Sequence, residues 1–148
     1  MAIVDDLLAN PGLYVGLDRL RIDETDHTGV ARIVVTPLPG GSGVSLDYEV
    51  LSPVGPDGGR NHHEHTLVAR GHDGGTLMLI GHTHADGLEV LRETEPGVFE
   101  RGDGEPGPFP VKVVVSVPAP GRIRHAWWYG RPGDVAIERD ISEVVLQQ

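Results

Sequence analysis

The sequence predicts an all-β protein, a single-domain antiparallel up-and-down β-barrel of nine to ten strands behind a short N-terminal helix. Three observations carry that expectation. Beyond the first ten residues the apolar positions recur with period two, the mark of strands with one face buried and one solvated. The 21 glycines and 12 prolines fall between those runs and punctuate the chain into many short elements. Consecutive strands joined by short turns lose their exposed edges by closing on themselves, which favours a barrel, with a sandwich as the alternative.

The helix is expected from Ile3 to about Ala9 and is stopped by Asn10-Pro11-Gly12. Residues 31–37 (ARIVVTP) place Ala31, Ile33 and Val35 on one face, and 44–50 (VSLDYEV) place Val44, Leu46, Tyr48 and Val50 together. A loop rich in Gly and Pro spans Ser52–Asn61. Two strands then flank His72-Asp73-Gly74-Gly75, and a second Asp-Gly turn follows at Asp86-Gly87. Residues 88–93, 97–101, 109–117, 122–130 and 135–141 continue the series, and 143–147 either extend the last strand or form their own. No linker divides the chain, so residues 1–148 read as one domain.

Six of the eight histidines lie between Asn61 and His84. If Asp73-Gly74 is a two-residue turn, His65 faces His82, His63 faces His84, and the same reasoning at Asp86-Gly87 sets Glu89 opposite His84. One face then carries His63, His65, His82, His84 and Glu89, and directly opposed side chains sit ~4.5–5.5 Å apart at Cβ. Neutral imidazoles with a nearby carboxylate are a donor set for zinc or another transition metal, whose bound water becomes a nucleophile near neutral pH. The opposite face is at least as apolar, so these histidines also fit a solvated outer surface, paired loosely with Glu64 or Glu89. A register slip of one residue decides between the two.

His125 is read differently. A five-residue connection around residues 118–122 sets Val115 opposite His125, Val113 opposite Trp127 and Val111 opposite Tyr129, with every apolar side chain on one face. His125 then points inward beside Trp127 and Tyr129. With Tyr48, these residues are the expected lining of a small-molecule site, and His125 is also the candidate general acid or base.

A formal net charge of −10 and a pI near 5.1 disfavour nucleic acid and anionic lipid as partners. No apolar run is long enough for a signal peptide or a membrane span, and the absence of cysteine fits a reducing, cytoplasmic setting. There is no phosphate-binding P-loop, the one lysine being Lys112, no dinucleotide fingerprint and no Gly-x-Ser-x-Gly elbow. A cupin is a minor alternative, because residues 67–70 (LVAR) replace the Glu that should follow the first His-x-His pair.

The short helix, PGLYVG at 11–16, the strand meander and Arg139 near the C-terminus resemble the calycins, the superfamily of lipocalins, fatty-acid-binding proteins and nitrobindin-like proteins. The resemblance implies a barrel with an internal ligand site, closed at one end by a Gly-x-Trp motif against a basic residue of the last strand. Gly12, Tyr14 and Arg139 stand in those places here, with Tyr where the family has Trp. Nitrobindin-like proteins bind haem through a histidine close to the C-terminus. Residues 126–148 contain none, so haem is disfavoured.

The leading expectation is therefore a barrel that holds a small, largely apolar molecule. The alternative is an enzyme acting through the histidine metal cluster or through His125. A homodimer is compatible with either.

Overall fold

The computed structural model describes residues 2–22, 24–52, 60–102, 104–107 and 109–148. It is a closed antiparallel barrel of ten strands in meander order, with β1 paired to β10 at the seam. Helix α1 spans Ile3–Ala9. The strands are β1 Gly12–Ile22, β2 Thr25–Pro37, β3 Gly43–Leu51, β4 Arg60–Arg70 and β5 Thr76–His82, then β6 Glu89–Glu95, β7 Val98–Arg101, β8 Val111–Ala119, β9 Arg122–Tyr129 and β10 Ile137–Leu146. The expected barrel class and N-terminal helix are both present, and residues 143–146 extend the last strand. Most of the glycine- and proline-rich loop expected at Ser52–Asn61, residues 53–59, lies outside the described residues.

The alternation read in the sequence is the alternation of burial. In β3, Val44, Leu46, Tyr48 and Val50 are buried while Ser45, Asp47 and Glu49 are partly exposed. The β8–β9 hairpin pairs Val115 with His125, Val113 with Trp127 and Val111 with Tyr129, as expected.

The β4–β5 hairpin differs by one residue. Gly71 and Gly75 close it, with Gly71 N–H donating to the Gly75 carbonyl at 2.7 Å, around a three-residue turn. Gly74 takes the left-handed position at φ +84°, a conformation that L side chains rarely adopt. Glu64 therefore faces His82, and His65 faces Gly81. The odd shift moves the set His63 and His65 to the opposite face from His82. The β5–β6 connection is also longer than a two-residue turn: Glu89 pairs with Ile80 rather than His84. That shift is even, so Glu89 keeps the inward face.

Following the registers around the barrel sorts the interior into two halves. Tyr14, Val35, Val44, Val68, Met78, Val115, Ile123 and Val144 occupy one end and are all buried. Helix α1 covers that end, burying Ile3, Val4 and Leu7 against β3, β4 and β8, with Asp5 paired to Arg70 at the end of β4. The other end holds Asp18, His62, Glu64, Glu89, His125, Trp127, Asp140 and Ser142. The Tyr14–Arg139 closure implied by the calycin resemblance is not made. Tyr14 lies opposite Leu146 and donates its hydroxyl to the Asn10 carbonyl at 2.6 Å, whereas Arg139, near the start of β10, donates to the Tyr129 carbonyl at 3.0 Å. Among the described residues no helix is long and apolar enough to cross a membrane.

A candidate functional site at the polar end of the barrel

Glu64 is the centre of the polar end. It is 1 % exposed and sits on the same face of β4 as His62, Thr66 and Val68. Four neighbours compensate its burial. His62 Nε2 lies 2.6 Å from Oε2, Trp127 Nε1–H donates to the same oxygen at 3.0 Å, and the Thr66 hydroxyl donates to Oε1 at 2.9 Å. His125 Nε2 lies 3.6 Å from Oε1, close enough for charge attraction but too far for a hydrogen bond. Burial alone would raise the carboxyl pKa. The His62 hydrogen bond and the adjacent His62 and His125 charges outweigh it and lower the pKa to about 2, so Glu64 is ionised throughout the neutral range.

His125 is fully buried between Tyr48, at 4.7 Å between ring centroids, and Glu64. Both of its ring nitrogens lack a hydrogen-bond partner among the described residues. Burial lowers its pKa against the pull of Glu64, so the ring is neutral at pH 7. The nearby carboxylate favours the proton on Nε2, which leaves Nδ1 as a buried acceptor. His82 is complementary. Its Nδ1 accepts the His84 backbone N–H at 3.2 Å, which assigns the proton to Nε2, and that buried Nε2 has no partner. Burial lowers the His82 pKa as well.

Tyr48 anchors a second chain. Ser142 donates to Asp18 Oδ1 at 2.6 Å, so the hydroxyl proton in the 2.6 Å Tyr48–Ser142 contact belongs to Tyr48. Burial and the bond to Asp18 raise the Asp140 pKa well above the carboxylate range, so Asp140 holds the proton that joins the pair. Burial above all pushes the Tyr48 phenol up, and it is neutral.

The four expected lining residues fall on this end. Tyr48 and His125 are fully buried, Trp127 is 4 % exposed, and Tyr129 is half-buried at the rim. The expected metal set of His63, His65, His82, His84 and Glu89 is split by the β4 register. His82 stands with His62, 5.8 Å apart, and His84 stacks on His62 at 5.3 Å. Glu89 is held by Arg101, whose Nε and Nη2 donate to it at 2.8–3.0 Å. His63 and His65 lie outside, 5.0 Å apart beside Asp47.

Sequence reasoning missed Glu64, His62, Asp18, Asp140 and Ser142. A signal was present for Glu64, which shares parity with Val68 on β4 and so is marked as inward once Val68 is. Protein-family models and curated proteins give no match to this chain, so the reading of its site rests on this geometry.

Proposed function

We propose that the barrel binds a small molecule at its polar end, one with a flat apolar body and an uncharged edge offering both a hydrogen-bond donor and an acceptor. The observation that carries this reading is the pair of buried, unpartnered imidazole nitrogens, His125 Nδ1 on the ring packed against Tyr48 and His82 Nε2 on the ring packed against Trp127. A buried polar atom without a partner costs ~1–3 kcal/mol, which a ligand supplying the missing bonds recovers. Tyr48 and Trp127 offer flat contact area beside them. Exposure increases from His125 through His82 to His84, which gives the site a side facing solvent.

The electrostatics narrow the expected apolar ligand further. Glu64 is ionised, and Arg101 is already engaged twice by Glu89. A ligand carboxylate would meet a like charge with no free cation beside it among the described residues, so a fatty acid is the wrong head group for this interior.

The test is titration of a Trp128→Phe variant, in which Trp127 is the sole tryptophan, with naphthalene-2-carboxamide and the isosteric 2-naphthoate. The carboxamide is expected to quench Trp127 and the naphthoate to bind at least about tenfold more weakly, a difference of ~1.4 kcal/mol. No response to either compound at millimolar concentration overturns the reading. Tighter binding of the naphthoate overturns its head-group part.

The hydrogen-bonded chain from Tyr48 through Ser142 to Asp18 favours a second reading, in which His125 moves a proton on the bound molecule. Chromatography of the ligand after prolonged incubation separates them: unchanged ligand is expected for a binder and altered ligand for an enzyme.

A further inference from the structure

We propose that Asp47, His63 and His65, on the outer face of β3 and β4, form a binding site for a divalent transition-metal ion. The site is separate from the barrel interior. Alternation along β4 sends His62 and Glu64 inward and His63 and His65 outward, so the two clusters stand back to back on one strand.

Asp47 is the direct cross-strand partner of His65, and His63 lies two residues along on the same face. His63 Nε2 is 2.9 Å from Asp47 Oδ1, and the two imidazole centroids are 5.0 Å apart. One ligand atom from each of the three lies within 4.8 Å of the other two. The inward histidines do not form such a group among the described residues.

Metal–nitrogen and metal–oxygen bonds of ~2.0–2.2 Å place two adjacent ligand atoms about 3.0–3.4 Å apart across a metal. The Asp47–His63 contact is already near that separation, so the metal replaces the shared proton and His65 closes the set by a side-chain rotation. Both strands run inside the sheet, β3 between β2 and β4, β4 between β3 and β5, which fixes the Cα positions before any ion arrives. His65 is exposed and His63 and Asp47 are partly so, which leaves the remaining coordination positions to water. Two imidazoles and one carboxylate select zinc, nickel, cobalt, copper or iron over magnesium and calcium, which prefer all-oxygen shells. Glu49, opposite His63, lies 3.7 Å from Arg32.

The experiment is calorimetric titration of tag-free protein with nickel chloride at pH 7.5. About one equivalent is expected to bind. His63→Ala and His65→Ala should each weaken binding at least as much as the loss of a mere supporting partner does, roughly 10–100-fold, and Asp47→Asn should also weaken it. His72→Ala, in the exposed β4–β5 turn, should leave it unchanged. All the replaced side chains lie on the outer surface, and circular dichroism checks that each variant is folded. Absence of binding to the wild-type protein overturns the proposal, and so does binding that survives in the His63→Ala/His65→Ala double variant. Both outcomes are independent of the naphthalene titrations, because the outer triad shares no side chain with the interior.

Discussion

At the scale of single residues, the polar end is built from charges that folding has placed under constraint, and pH reports that constraint with a defined sign. His125 and His82 are held neutral by burial, with pKa values below the ordinary 6.5. The unfolded chain takes up protons at these sites before the folded chain does, so stability is full above pH 6.5 and declines as pH falls through it. The decline for one fully excluded histidine is at most ~1.4 kcal/mol per pH unit. Glu64 adds a second step: its carboxyl is lowered from 4.5 to about 2, so its contribution is present above pH 4.5 and lost as pH falls towards 2. Urea unfolding at pH 7.5, 5.5 and 4 should show the first decline, and His125→Gln should reduce its slope. An unchanged slope would mean that His125 is protonated in the folded state. Glu64→Gln removes the charge that three donors share and should lower stability by ~2–4 kcal/mol at pH 7.5. Asp140 behaves oppositely. Its pKa is raised in the fold, so ionisation is less favourable there than in the unfolded chain and opposes folding as pH rises above the unfolded carboxyl's range. Asp140→Asn removes that penalty in a side chain of the same shape, and should leave stability at pH 7.5 equal or higher by the same urea measurement.

At the scale of elements, the difference between what the sequence shows and what the barrel does lies in the turns. The inward face of β3 was legible because alternation alone puts Val44, Leu46, Tyr48 and Val50 together, and the β8–β9 register because one pairing puts all the apolar residues of both strands on one face, with Val115, His125 and Trp127 buried there. The β4–β5 hairpin offers two comparable faces, with Thr66, Val68, Met78 and Ile80 inside and Leu67, Leu77 and Leu79 outside, so apolar content does not choose between them. The turn chooses. His72-Asp73-Gly74 accepts a three-residue loop because Gly74 tolerates φ +84°, and Asp73 Oδ1 accepts the Gly75 N–H at 3.0 Å. A sequence showing Asp-Gly does not distinguish this from a two-residue turn, and the one-residue difference changed which histidines meet. The outer halves of β1 and β2 were illegible for another reason: residues 24–30 are exposed or partly exposed, so no alternating apolar face marks them. Gly74→Ala keeps the side chain in open solvent but forces a left-handed alanine, and should lower stability by ~1–2 kcal/mol in urea unfolding. Gly16 is constrained by space instead. A Cβ there would lie 1.9 Å from the Glu143 carbonyl oxygen across the β1–β10 seam, so Gly16→Ala should destabilise more than Gly74→Ala.

At the scale of the whole molecule, the barrel is asymmetric along its axis, and that asymmetry lets stability and binding be varied separately. One end is apolar and covered by α1. The other gathers polar and aromatic side chains, among which His82 Nε2, both His125 ring nitrogens and Asp140 Oδ1 have no partner among the described residues. Natural sites concentrate unsatisfied groups where a ligand meets them, and the surrounding core compensates the cost. Leu7 is the clearest handle on the compensating half: it is 1 % exposed and belongs to the core cluster that α1 shares with the apolar end of the barrel. Leu7→Ala removes buried methyl groups and leaves a void, which should cost ~2–5 kcal/mol in urea unfolding. His125 and Trp127 sit at the opposite end, on β9, whereas α1 packs chiefly against β3, β4 and β8. The variant should therefore keep the wild-type Trp127 emission and the wild-type affinity for naphthalene-2-carboxamide at a temperature where it remains folded. A parallel loss of affinity and stability would mean that the two ends are coupled through the barrel, and that the core sets the geometry of the site as well as its persistence.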